Sequence, residues 1–223
     1  MKRFRTLYLK EIKNLYRELL IILVLQVVFI LYFLFVIVNH SPVLSEFEKF
    51  SIELFNCSVL LYPVLLLYSL YIENRTDTVY QALSLPVRRM MLPAKFAVVL
   101  SAFFVSVIVL ITVLITGDKA GFIKGSPDVS TAAVYNLAFP TFITICLACA
   151  AWGTMQIVRQ NRLVVGLAVV LCGFAVYMVL MEMDGNFQRS HIVTMVFHLC
   201  LTLGLGFVYA CIGCIVYEKF AEI

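Results

Sequence analysis

The chain has 223 residues, of which 63% are apolar and 13% charged, with a formal net charge of +4 and a mean hydropathy of +1.01. Soluble domains hold about 45–50% apolar and about 25% charged residues, so soluble enzymes, disordered chains and disulfide scaffolds are excluded. What remains is an all-α polytopic membrane protein, in which about 20 apolar residues at roughly 1.5 Å each cross a hydrocarbon core about 30 Å thick.

Ahead of the first apolar stretch, Phe4, Tyr8, Ile12, Leu15, Tyr16 and Leu19 recur at helical spacing, with Lys10, Lys13, Asn14 and Arg17 on the other side. This pattern predicts an N-terminal amphipathic helix lying in the inner interface of the membrane. The plainer alternative is a basic flank that only orients the chain. Stretch 19–38 is too long for a signal-peptide core, and Asn39, His40, Ser41 and Pro42 follow it where a small-residue cleavage site would stand. It is therefore expected to remain as the first membrane helix. Within it Gln26 is strongly polar, and Phe29 and Phe33, with Tyr62 from the next stretch, complete a candidate substrate path. The same aromatic residues would equally suit a lipid-facing surface.

Five further uncharged stretches follow at 54–72, 96–116, 132–158, 163–181 and 192–217, and none of the six contains Asp, Glu, Lys or Arg. Six transmembrane helices in one domain spanning 1–223 are predicted. Pro63 and Pro140 fall inside stretches two and four, where prolines commonly kink helices. The connections 39–53, 117–131 and 182–191 are too short to fold alone. Lys and Arg number 6, 4, 2 and 1 in the alternate segments that include both termini, against 4 in the three opposite connections. Positive loops stay inside, so both termini are expected in the cytoplasm. The net charge follows from this topology and does not signal nucleic-acid binding.

Other chemistry is thinly represented. Cys146 with Cys149, and Cys211 with Cys214, have CxxC spacing, but they lie in apolar helices with no acidic or histidine neighbour. Charged thiolates would be costly there, and packing beside Gly204, Gly206, Ala210 and Gly213 explains them with less; no metal site is expected. An ion- or proton-coupled carrier is the alternative function. It would need an ionisable intramembrane group, and His198 is the nearest candidate within the six stretches. No GxxxxGK[ST] phosphate loop and no Ser/His/Asp, Cys/His or HExxH constellation is present, so the chain is not expected to be an enzyme.

The inward segment 73–95 is longer than a connector needs. Asn74, Thr76, Asp77 and Thr78 precede Val79, Tyr80, Ala82 and Leu83 as a capped short helix would require, and Pro86 is expected to end it. The run Glu73, Thr78, Val79, Leu83, Ser84, Leu85, Pro86, Val87, Arg88, Arg89 and Lys95 resembles the segment between helices two and three in membrane subunits of type-2 ABC transporters. Asp77 and Tyr80 depart from the Gly and Glu usual there. The resemblance implies a coupling helix formed by Glu73, Thr78, Val79, Ala82, Leu83, Pro86, Arg88 and Arg89. It also implies two separate ATPase subunits that bind ATP and Mg, a second identical or homologous permease copy, and a place in a bacterial-type plasma membrane. The function it implies is export of a hydrophobic or amphipathic substrate, such as a lipid, peptide or drug-like molecule. No cofactor is expected in this chain.

Overall fold

A computed structural model describes residues 2–38, 61–75, 85–119, 138–158, 161–185 and 191–222. The described residues form six α-helices and no strands: α1 Lys2–Val38, α2 Leu61–Arg75, α3 Leu85–Lys119, α4 Phe139–Ile157, α5 Arg162–Gly185 and α6 His191–Glu222. Four helices contain segments long and apolar enough to cross a membrane: Arg89–Val109, Phe139–Ile157, Arg162–Glu182 and Val196–Lys219. A shorter apolar helix covers Leu61–Ile72.

Three prolines stand near the starts of the described helical segments. Pro140 occupies the first turn of α4 and Pro63 is the third residue of α2. Proline's fixed φ suits a first turn, where its missing N–H would have no helical partner, as at Pro140, while the residues ahead of Leu61 lie outside the described ones. Pro86, expected to end a helix, is the second described residue of α3. Residues 85–95, expected as the exit of a loop, are helical and belong to α3. The short helix expected ahead of them falls largely in 76–84, outside the described residues.

The N-terminal segment also differs. Lys2–Val38 is one uninterrupted helix, about 55 Å long at the usual rise, with no break between an interfacial part and a crossing part. Its buried face runs through Leu7, Glu11, Leu15, Ile22 and Gln26, while Phe4 and Tyr16, expected on the apolar side, are exposed. The buried stripe is therefore rotated toward Glu11.

Helix α4 is the centre of the bundle. It packs against α2, α3, α5 and α6, and 67% of its apolar span is buried, compared with 11% for α5. Its sequence explains the position. Ala148, Ala150, Ala151 and Gly153 keep its outline narrow, so neighbours approach closely. Gly153 faces Gly213 of α6, and Phe142 lies over Gly206. Leu147 lies against Gly173 of α5, and Met155 against Gly166.

These contacts also fix directions. Residues 142 and 153 of α4 meet 206 and 213 of α6, so the two helices run parallel, whereas 147 and 155 meet 173 and 166 of antiparallel α5. Helix α1 leans on α3. Glu11 meets Lys95, and Gln26 meets Ser106, so these two helices are parallel as well. An ion pair between Arg89 and Glu218 brings the start of α3 to the end of α6. The early turns of α1 and α3 and the last turns of α6 therefore share one end of the bundle.

Candidate functional site

The polar interior of this apolar bundle is concentrated where α1, α2 and α3 meet. Gln26, Tyr62 and Ser106 come from three helices and are 4%, 2% and 6% exposed. The Ser106 hydroxyl donates to Gln26 Oε1 at 2.7 Å. The Tyr62 hydroxyl lies 3.5 Å from the same oxygen and also hydrogen-bonds Ser106. Ser106 Oγ is 3.2 Å from the Ala102 carbonyl one turn back along α3. The bonds converge on the amide oxygen. Gln26 Nε2 is buried without a hydrogen-bond partner. In an apolar interior an unsatisfied amide donor costs several kcal/mol, so this atom is the least satisfied point of the cluster.

Aromatic rings enclose the group. Phe103 meets Tyr62 edge to face, with centroids 6.0 Å apart and ring planes at 79°. A chain of rings continues through Phe104 to Phe142 of α4. Phe29, one turn beyond Gln26 on α1, is partly buried against the core. Of the expected substrate-path residues, the structure thus joins Gln26 to Tyr62 directly, with Phe29 three residues further along α1. Phe33 belongs to α1, and its side chain lies outside the described residues. Ser106 was not anticipated. A serine on α3 gives no periodic signal, and its importance appears only when Gln26 and Tyr62 arrive beside it.

Toward the shared end of the bundle the chemistry becomes ionic. Lys95 Nζ lies 3.0 Å from Glu11 Oε2, and their side chains are 5% and 1% exposed. Leu7, Met91 and Ala94 form a small apolar cluster beside them, and the Tyr8 hydroxyl bonds Ser101 at 3.0 Å. Neither Glu11 nor Lys95 lies within the six uncharged stretches, which is why a search of those stretches missed the pair. Glu11 stands four residues from both Leu7 and Leu15, so its place on a buried stripe was legible in the spacing. Arg89, expected at the docking surface, reaches Glu218 at 3.7 Å.

Among the remaining docking residues, Glu73 lies in the last described turns of α2, and Pro86 and Arg88 lie in the first described turns of α3. Thr78, Val79, Ala82 and Leu83 fall outside the described residues. Cys146 and Cys149 are buried, Cys211 and Cys214 are half-buried, and all four are free thiols. Among the described residues no group of three or more His, Cys, Asp or Glu could hold a metal ion. His198 of α6 is half-buried beside the Phe197 ring.

The arrangement places a cluster of uncharged polar side chains inside an apolar bundle. Comparison with family models, curated proteins and solved structures finds no match to this chain.

Proposed function

We propose that the chain is the membrane-spanning permease subunit of an ABC transporter, exporting a hydrophobic or amphipathic substrate with ATP hydrolysed by a separate subunit. The observation that carries this reading is the residue run from Glu73 to Lys95, lying between the second and third apolar stretches. In this reading all six stretches cross a bacterial-type plasma membrane with both termini in the cytoplasm. The N-terminal turns of α1 lie at the inner surface, two copies pair, and each docks one ATPase. Supporting it, Gln26, Ser106 and Tyr62 would lie about 10–15 Å from the inner ends of their respective stretches at the usual helical rise. Three separately drawn boundaries thus agree on one depth near the middle of a 30 Å core.

Val79→Asp and Leu83→Asp test the docking segment. Each would put an unpaired charge into an apolar contact. ATP-driven transport should fail at normal membrane levels, with loss of ATPase co-purification. Normal transport with the ATPase still bound would refute the docking role.

The buried Glu11–Lys95 pair at the inner end of the bundle favours a second reading as an ion- or proton-coupled carrier, since costly buried ionisable groups often mark coupling paths. Vesicles separate the two. Transport driven by ATP and indifferent to an imposed proton gradient supports the first reading; transport driven by the gradient without ATP supports the second.

A further inference from the structure

We infer that the Gln26 amide is a recognition point for an uncharged hydrogen-bond acceptor, specifically the carbonyl oxygen of an amphipathic ester or amide. The inference rests on the transporter reading for its physiological meaning, because the acceptor belongs to the cargo.

The unspent hydrogen-bonding capacity of the cluster is that of a donor. Gln26 Oε1 already accepts from Ser106 and faces the Tyr62 hydroxyl, and the two hydroxyls also engage each other. Gln26 Nε2 has no partner. A complementary group must therefore accept a hydrogen bond. The three side chains carry no formal charge, and Phe103 packs on Tyr62, so an ion would be left uncompensated in apolar surroundings. A buried water is a poorer fit, since such waters typically make two to four hydrogen bonds, whereas Nε2 is the one atom of this cluster left unbonded.

The setting gives such a group a way in. Leu25, Val27 and Val28, flanking Gln26 in sequence, are exposed on α1. Among the described residues, helix α1 leans mainly on α3 and touches α2 only lightly. A small outward roll of α1 would uncover the Gln26 side chain. A chain entering there would lay its apolar length against Phe29 and the exposed side of α1 while its carbonyl met the amide.

The test uses the full-length chain in vesicles of dialkyl-ether phosphatidylcholine, whose lipids contain no carbonyl group. Two photoreactive probes of matched length are compared: diazirine-bearing methyl palmitate and diazirine-bearing hexadecane. Labelled peptides are mapped. The ester should label the peptides carrying Gln26, Tyr62 or Ser106 about fivefold more than the hydrocarbon, the ratio that one net hydrogen bond provides. Gln26→Leu should bring the two probes to parity, while Thr112→Val, at an exposed position on α3, should keep the wild-type ratio. Parity in the wild type, or an ester preference that survives Gln26→Leu, overturns the inference. If Gln26→Leu misfolds, the wild-type ratio and its map still decide.

Because no ATP or ATPase is present, the two readings fail separately. Parity alongside intact ATP-driven transport removes this site alone. Ester preference without ATP-driven transport leaves the site and removes the transporter assignment.

Discussion

The seam between α4 and α6 and the seam between α1 and α3 each join two parallel helices, but they are closed by opposite means. In the first, Gly153 and Gly213 bring the backbones together, and a Cβ on Gly213 would come within 2.5–2.8 Å of backbone atoms of Cys149 and Ala150. In the second, long polar side chains span the gap: Glu11 to Lys95, Tyr8 to Ser101 and Gln26 to Ser106. Backbone contact loses its packing with little displacement, since dispersion attraction falls steeply with separation. Long side chains can follow a sliding or rolling helix through changes of rotamer. The α4–α6 seam therefore reads as the fixed part of the bundle and α1 as the part able to move.

The largest way to break this contrast is to strand a charge in the polar seam. Glu11→Ala leaves Lys95 buried without its carboxylate, and breaking a buried pair on one side costs about 3–5 kcal/mol. The double variant Glu11→Met with Lys95→Met should recover most of that loss, since apolar replacement of a whole buried pair is often neutral or stabilising. Denaturant unfolding of the wild type, Glu11→Ala and the double variant in detergent measures both statements. A double variant as unstable as Glu11→Ala would show that the pair matters for something other than mutual neutralisation.

Gly213→Val attacks the other seam. With backbone on the far side, the added carbons cannot be met by rotamer changes, and overpacking of this kind costs about 1–3 kcal/mol. The same substitution at Gly204, whose Cβ would meet nothing within 4 Å, should change stability little. Thermal unfolding of the two variants checks whether close approach, and not glycine as such, holds α4 to α6.

Much of the fold was readable because a bilayer simplifies the problem. Apolar runs without charge predict helices, and α3, α4, α5 and α6 each contain the expected kind of segment. The boundaries were harder to read. Pro140 looks like an interruption when the chain is read one residue at a time, although it suits the first turn of α4. The candidate site was half legible: Gln26 and Tyr62 stand out as polar atoms within apolar stretches, but nothing in sequence says that they meet. Ser106 could not be found that way. Glu11 was hidden for a different reason, because a carboxylate among lysines and arginines reads as part of a charged flank until its four-residue spacing to Leu7 and Leu15 is counted.

Tyr62→Phe sharpens the comparison further. It removes one hydroxyl but leaves the Ser106–Gln26 bond and the ring contact with Phe103 in place. Hydrogen bonds between membrane helices average about 0.6 kcal/mol and rarely exceed about 2, so the loss should lie in that range. Gln26→Leu measured beside it should cost no more, because it also removes an unsatisfied donor. A much larger loss for Gln26→Leu would mean that Nε2 has a partner in the folded protein.

The smallest effect is expected at the second ion pair, and it separates charge from burial. Arg89 and Glu218 are 3.7 Å apart with side chains 32% and 54% exposed, whereas Lys95 and Glu11 are 3.0 Å apart and almost wholly enclosed. Both pairs tie the start of α3 to another helix at the same end of the bundle. Exposed ion pairs are worth about 0–1 kcal/mol, because solvent and salt screen their attraction and two long side chains must be held still. Glu218→Gln should therefore lower stability by less than about 1 kcal/mol, with the difference from wild type shrinking as salt rises from 0.05 to about 0.5 M, where the screening length is already only a few ångströms. Glu11→Gln should cost more and show little salt dependence. Equal losses at both positions would mean that attraction between the charges, and not their enclosure, sets the strength of this end of the bundle.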